Sequence, residues 1–154
     1  MGNCIHPMKL SLFSDYSLRV LMYAALKDDS FLMDEVTAAY GISRNHLAKV
    51  VHNLANLGYL YTQRGRGGGI HLALPPGEIR LGKVVRETEN QPVFVECFDP
   101  ITNTCPIIGS CRLNGILAEA LNAFYASLDQ HTLDDLVSGQ HRSRMIKALL
   151  IPAP

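Results

Sequence analysis

The sequence predicts a mostly α-helical fold with one small β-hairpin, on the basis of three observations. Apolar residues recur at helical spacing on both sides of a tight turn, YGIS, at 40–43. Two β-prone segments flank a glycine-rich stretch, RGRGGG, at 64–69. A longer amphipathic segment follows Cys111. With 154 residues, 47% of them apolar, the chain has the size and composition of one domain with a real core.

The first helix is predicted to begin at Ser14. Serine is a favourable N-cap residue, and Asp15 places a negative charge in the first turn, where the helix dipole favours it. The apolar positions at helical spacing are Leu18, Leu21, Met22 and Ala25. The polar sequence KDDS then ends this helix.

The next two helices have the spacing of a helix-turn-helix. The first is short and ends at Gly41, and the second begins after the N-cap Ser43 and stops at Gly58. Apolar Val36, Ile42 and Leu47 stand where the two helices would pack together.

The second of these helices has an outer face without any acid. Amide and basic side chains are the types that read base edges, and a small residue permits close approach to a groove. Between Ser43 and Leu74 there are four Lys or Arg residues and no Asp or Glu, although the whole chain has a net charge of zero. This part of the chain is therefore predicted to bind DNA.

The hairpin predicted next fits the wing of a winged helix. Glycines let backbone amides come close to phosphates, and Arg64 or Arg66 could enter a narrow minor groove. Alone, the same stretch would fit a flexible surface hairpin equally well. Its position directly after a helix-turn-helix favours the wing. The predicted DNA-binding residues are Arg44, Asn45, His46, Ala48, Lys49, His52, Asn53, Arg64, Arg66 and Gly67.

Beyond the wing the patterns predict further helices and one irregular loop. A short helix lies in 79–89, and the helix after Cys111 carries one apolar stripe. Thr132 and Asp135 form a capping-box pattern. The basic tail from Gln140 is predicted to be loosely ordered. The stripe comprises Leu113, Ile116, Leu117, Leu121, Phe124 and Leu128.

The irregular loop holds three of the four cysteines, Cys97, Cys105 and Cys111. Their spacing is neither the paired pattern of a zinc ribbon nor a C-x-x-C redox motif. A loop rich in Pro, Gly and Asn buries little, whereas free cysteines are usually buried. From spacing alone an iron–sulfur cluster, a zinc ion, or three unrelated cysteines with a labile disulfide all remain open.

Several function classes are disfavoured by what the sequence lacks. No apolar run approaches the ~18 residues that a membrane span requires, and the N-terminus has no long apolar secretory region. A cytoplasmic location, in which thiols stay reduced, is therefore expected. No paired acid and base pattern suggests catalysis, so a thiol-redox or metal enzyme is the weaker alternative and the chain is not expected to be an enzyme.

With these motifs in order, the chain resembles the winged-helix iron–sulfur transcription regulators, and among them the nitric-oxide-sensing repressors. The resemblance runs from Met8 to about Ser138. The stretches that carry it are FSDYSLRVLMYAAL, VTAAYGISRNHLAKVVHNLANLGYL, RGRGGGIHLAL, IRLGKVVRETE, CPIIGSCRL and LDQHTLDDLV.

The resemblance implies a homodimer in which the long helix after Cys111 packs against its twin. It implies an iron–sulfur cluster held by Cys97, Cys105 and Cys111, with Asp15 of the partner subunit as the remaining ligand. Related regulators place a histidine three residues after the last cysteine, where this chain has Asn114. A 4Fe–4S cluster is therefore preferred, with 2Fe–2S second.

The function implied is that of a repressor bound to an inverted-repeat operator in double-stranded DNA, which nitric oxide releases. Alternatives are a regulator of the same fold that senses redox state or iron–sulfur supply, and a DNA-binding module with structural zinc. The predicted organisation is a winged helix-turn-helix domain at 8–76 and a cluster loop with dimerisation helix at 77–138. A 1–7 extension and a 139–154 tail flank them.

Overall fold

The computed structural model describes residues 9–66, 68–89 and 93–151. These residues form seven α-helices and one antiparallel hairpin. The elements, in chain order, are α1 (Leu12–Lys27), α2 (Met33–Tyr40), α3 (Arg44–Asn56), β1 (Leu60–Gln63), β2 (Gly69–Leu72), α4 (Leu81–Thr88), α5 (Arg112–Asp129), α6 (Leu133–Val137) and α7 (Arg142–Leu149). Short 3₁₀ turns lie at Pro76–Glu78, Glu96–Phe98 and Gly139–His141. Among the described helices, none is both long and apolar enough to cross a membrane.

Helix α1 lies at the centre of the core. It packs against α3, α4, α6 and α7, and against β2 of the hairpin. Val20, Leu21 and Tyr23 through Leu26 are almost completely buried. A helix that is apolar on most of its surface must be covered on most of its surface. The other helices are therefore arranged around α1.

The predicted start of α1 is wrong by about one turn. The N-cap is Ser11, whose side-chain oxygen accepts a hydrogen bond from the Ser14 amide at 3.1 Å. Ser14 is fully buried, and its hydroxyl donates to Glu89 Oε2 at 3.1 Å. Glu89 also accepts from the Ser11 amide at 3.0 Å. Because this carboxylate comes from the end of α4, the local sequence gives no sign of it.

The helix-turn-helix and the hairpin are confirmed. Ser43 caps α3, and Gly41 and Gly58 take positive φ angles of 65° and 81° just after α2 and α3. Strands β1 and β2 pair antiparallel with Leu60 opposite Leu72 and Gln63 opposite Gly69. The arrangement is a winged helix, in which the hairpin directly follows α3.

Helices α4 and α5 approach each other closely at Gly82. Asp129, the last residue of α5, accepts two hydrogen bonds from the Arg86 guanidinium, at 2.9 and 2.5 Å. This pairing lowers the pKa of Asp129. The same guanidinium lies 4.5 Å from the centre of the Tyr125 ring. A Cβ added at Gly82 would overlap Asp129 Oδ1 and lie 3.0 Å from the Asp129 backbone nitrogen. The absence of a side chain therefore allows this contact between the helices.

The capping box before α6 is confirmed, whereas the loosely ordered tail is a wrong prediction for the residues that the structure describes. Asp135 accepts from the Thr132 amide at 2.7 Å. Residues 142–149 form α7. Its order has a simple cause, because four apolar residues at helical spacing pack on the core: Met145, Ile146, Leu149 and Leu150. The 8–76 and 77–138 boundaries stay a prediction, although Ile79, Val84 and Leu133 belong to the core cluster built around α1.

Replacing Gly82 by Ala is expected to destabilise the chain. Alanine at an interior helix position ordinarily gains about 0.5–1 kcal/mol over glycine. Here the added methyl displaces Asp129 from Arg86, and overpacking of this kind costs about 1–3 kcal/mol. We expect a net loss measurable as a lower midpoint in urea denaturation. Gly115→Ala is the matched control, because Gly115 lies inside α5 with no atom within 4 Å of its added Cβ. A gain in stability from both substitutions would contradict the close approach at Gly82.

Candidate nucleic-acid interface and cysteine loop

The outward face of α3 is exposed and contains no acid. Its inner side is buried through Leu47, Val50, Val51 and Leu54, which fixes which side faces outward. The residues Arg44, Asn45, His46, Ala48, Lys49 and His52 are exposed, and Asn53 is half-buried. Within the described chain Lys49 takes part in no ion pair. Polar and basic side chains of this kind can donate and accept hydrogen bonds at base edges.

Three of these side chains already have partners within the chain. Arg44 forms an exposed ion pair with Asp34 of α2. The Nδ1 atom of His46 is 3.1 Å from the Ser43 hydroxyl, and its ring centre is 6.2 Å from that of Tyr16 in α1. The Nε2 atom of His52 is 3.1 Å from the Asn56 amide nitrogen. Lys49 is thus the cation on this face that has no acidic neighbour to neutralise it.

The tip of the hairpin holds the other predicted DNA contacts. Arg64 and Arg66 are exposed, and Gly65 between them has a φ of 99°, which favours glycine. The predicted contact Gly67 lies outside the described residues. The hairpin itself is tied to the core by paired hydrogen bonds between Phe31 and Ile70, at 3.0 and 2.9 Å. The two arginines therefore project from a hairpin whose base is fixed next to α3.

The three cysteines of the loop are free thiols and half-buried. Cys97 lies in a 3₁₀ turn, Cys105 in the irregular segment, and Cys111 is the N-cap residue of α5. Thiolates are the ligands that iron–sulfur clusters use, and partial exposure leaves them accessible to a metal. By the chemistry of its donors, the loop fits such a group.

Hydrogen bonds from side chains of the loop and of α5 hold the backbone of the loop in place. Asn114 donates to the Cys97 carbonyl oxygen at 3.2 Å, and Asn103 accepts from the Cys105 amide at 3.0 Å. Glu96 accepts from the Thr104 hydroxyl at 2.6 Å and from the Thr104 amide at 2.8 Å. These bonds lower the pKa of Glu96. The backbone is therefore held by hydrogen bonds at two of the three cysteines, Cys97 and Cys105.

The single chain does not bring the predicted ligands together. In the residues described, no group of three His, Cys, Asp or Glu side chains is placed to hold a metal ion. Asp15 lies in the first turn of α1, where its carboxylate accepts from Arg19 Nε at 3.0 Å. The predicted ligand set therefore requires some rearrangement of the loop, and for Asp15 also the exchange of Arg19 for the metal.

Helix α5, whose N-cap is Cys111, leaves its apolar stripe uncovered at Leu113 and Ile116, while the rest of the stripe is half-buried. All 18 of its residues are described, and none is fully buried. Leu113 and Ile116 have exposed fractions of 57% and 58%. Apolar patches of this kind mark interaction surfaces. The side of α5 that is covered is the one against α4, through Asp129 and Tyr125.

Some contacts around this site could not be found from the sequence. The pairs Arg44–Asp34 and Tyr16–His46 join different helices, and no spacing rule connects them. The anchoring of Cys97 by Asn114 depends on how the loop folds back. For α7 a signal was present, because Met145, Ile146, Leu149 and Leu150 recur at helical spacing.

Comparison with known proteins agrees with this arrangement. The profile of the Rrf2 family, described as "Iron-dependent Transcriptional regulator", matches residues 10–139. The HTH-type transcriptional regulator NsrR of Halalkalibacterium halodurans is 47% identical over 135 residues, which cover 86% of this chain and 92% of that protein. The NsrR of Bacillus subtilis has the same identity and coverage.

A solved structure shows the same fold at lower identity. The structure titled "T. potens IscR" superposes with a TM-score of 0.68 and 20% identity, over 84% of this chain and 86% of that one. Identity at that level shows the fold alone. The family match and the two relatives show the family as well as the fold, because they span most of both chains. The protein is therefore a transcriptional regulator rather than an enzyme, and it belongs to the Rrf2 family of iron-dependent transcriptional regulators.

Proposed function

We propose that the protein is an iron–sulfur-dependent repressor that binds an inverted-repeat operator as a homodimer and releases it when nitric oxide reaches the cluster. The observation that carries the proposal is the position of the three free thiols. They lie in one loop that ends at Cys111, the N-cap of α5, whose apolar stripe is exposed at its start. A winged helix precedes them, and the outward face of its α3 contains no acid. The sequence resemblance to nitric-oxide-sensing repressors supports the signal.

The cluster ligands in this proposal are Cys97, Cys105 and Cys111, with Asp15 of the partner subunit completing the set. A 4Fe–4S cluster is the preferred form and a 2Fe–2S cluster the second. When bound, such a group supplies iron that reacts with nitric oxide. Asn114 supports the 4Fe–4S assignment, because its amide already donates to the Cys97 carbonyl oxygen and an amide is a poor substitute for a histidine ligand.

The loop and the DNA-reading helix are connected through the packing of the helices. Cys111 is the N-cap of α5, so a change in its position acts directly on the start of that helix. At the other end of α5, Asp129 is held by Arg86 of α4. Glu89, which follows α4, caps α1, and Tyr16 of α1 lies against His46 of α3. A shift at the cysteines therefore has a continuous path of packed groups to the DNA-binding face.

The homodimer is proposed from the uncovered stripe of α5. Pairing this stripe with its twin would bury Leu113 and Ile116, which are more than half exposed in the single chain. A two-fold dimer would place its two α3 helices in major grooves about 34 Å apart, one helical turn of DNA. A hundredfold loss of operator affinity requires a coupling free energy of only about 3 kcal/mol between the cluster site and the DNA-binding face. We place this regulator in the cytoplasm, where the thiols stay reduced.

Titration of the anaerobic holo-protein with nitric oxide should abolish operator binding in step with bleaching of the visible absorbance. Fluorescence anisotropy of a labelled operator duplex follows DNA binding in the same cuvette. Equal titration with an anaerobic oxidant is the control, because it separates a nitric oxide sensor from a redox sensor. Operator binding that survives complete reaction with nitric oxide would sink the proposed signal.

Replacing Cys97, Cys105 or Cys111 by Ala should each remove the visible absorbance of the anaerobically purified protein and cause derepression of a reporter gene. Each substitution removes one thiolate ligand from the set. Cys4→Ala is the matched control and should leave both the spectrum and repression unchanged; residue 4 lies outside the described residues. The Mössbauer spectrum of the unsubstituted protein distinguishes 4Fe–4S from 2Fe–2S, and a colourless preparation containing zinc would overturn the cluster assignment.

Replacing Lys49 by Ala should weaken operator binding roughly tenfold, because a groove contact is lost from the face of α3. The cluster spectrum should not change, since Lys49 is not one of the proposed cluster ligands. Lys83→Ala is the control: Lys83 is an equally charged, exposed residue on α4, 3.8 Å from Glu87. Equal affinities for the Lys49 and Lys83 variants would contradict the assignment of α3 as the reading helix.

A further inference from the structure

Helix α7 has two opposite faces of different chemistry. Met145, Ile146 and Leu149 pack on the core cluster, so one face is fixed against the protein. Arg144 and Lys147 are exposed. With 3.6 residues per turn, these two cations fall on the side opposite the apolar residues. The core packing therefore presents both positive charges to solvent.

The positive charge on this helix is not neutralised locally. Residues 138–151 contain Arg142, Arg144 and Lys147 but no Asp or Glu. Arg142 donates to the Val137 carbonyl oxygen at 3.3 Å, which leaves its side chain directed back to α6. Within the described part of the chain, neither Arg144 nor Lys147 forms an ion pair. By contrast, the exposed cations Arg19, Lys83 and Arg86 all lie next to an acid.

The positively charged helix α7 lies next to the winged helix. It packs against α1 and against α2, the first helix of the helix-turn-helix. In such motifs the first helix crosses the sugar-phosphate backbone while the second enters the major groove. An element that packs against α2 is thus attached to the helix that would cross the backbone beside the reading helix. The Rrf2 match ends at residue 139, so α7 is not part of what the family profile describes.

We propose that α7 is an accessory phosphate-binding helix, in which Arg144 and Lys147 contact the DNA backbone beside the site read by α3. The ligand chemistry is that of a row of phosphates, which requires separated positive charges on a rigid support. A protein partner fits less well, because the large apolar residues of α7, Met145, Ile146 and Leu149, pack on the core, and its exposed face carries the cations and the small Ala148 rather than a large anchor for an interface. The inference rests on DNA binding alone and is independent of the cluster and of nitric oxide.

The test is the salt dependence of DNA binding by the full chain. Each phosphate neutralised contributes about 0.9 to the slope of log K against log salt concentration. Arg144→Ala/Lys147→Ala should reduce the magnitude of this slope by nearly two for each α7 that contacts the duplex. Affinity should fall by the same factor for an operator duplex and for an unrelated duplex, because phosphate contacts carry no sequence information.

Two controls make the result decisive. The charge-preserving variant Arg144→Lys/Lys147→Arg should retain the slope. Lys83→Ala, which removes a cation on α4, should also leave the slope unchanged. Thermal melting followed by circular dichroism checks that α7 remains folded. A slope for the double alanine variant equal to that of the unsubstituted protein overturns the proposal, as does a loss confined to the operator. Neither result touches the nitric oxide hypothesis, which the titration above decides.

Discussion

Burial of α1 on nearly all sides is the constraint on which the rest of the structure depends. Its apolar residues require cover from α3, α4, α6 and α7, so these helices cannot be arranged independently. The polar atoms of its first turn must also be satisfied, and the Glu89 carboxylate does this from the end of α4. Unsatisfied buried groups would cost more than the hydrogen bonds gain. The helix α3 proposed to read DNA and the helix α4 that leads towards the cysteine loop are therefore fixed to the same central helix.

A second consequence concerns how a loop can influence a DNA-binding face. The cysteine loop has few apolar contacts, but it ends at α5, and α5 is attached to α4 where Gly82 permits close approach to Asp129. In the proposed mechanism, a displacement at the cysteines would therefore move α5 and α4 as packed units. In the proposed dimer, the two copies of α5 would pack together through their exposed apolar residues. A movement of α5 in one subunit would then also act on the other subunit.

The surfaces of the chain divide by chemistry. The apolar stripe of α5 is exposed at Leu113 and Ile116, which suits the proposed second copy of the chain, while α3, the hairpin tip and α7 present cations. Close to α3, Asp34 is held in an ion pair with Arg44. The neutral total charge hides this separation, so the charge of the whole chain says little about its partners.

Sequence alone determined the features that depend on local chemistry. The helix-turn-helix, its caps at Ser43 and Gly58, the hairpin and the capping box at Thr132 all follow from hydrogen bonds and φ preferences within a few residues. Tertiary structure decided what depends on groups far apart in the chain. Examples are the start of α1, where Glu89 supports the Ser11 cap from the end of α4, and the packing of α7 on α1 and α2. The cysteines were recognisable as a candidate metal site, but no group of three such side chains in the described residues is placed to hold a metal ion, because their positions depend on how the loop folds back and not on local spacing.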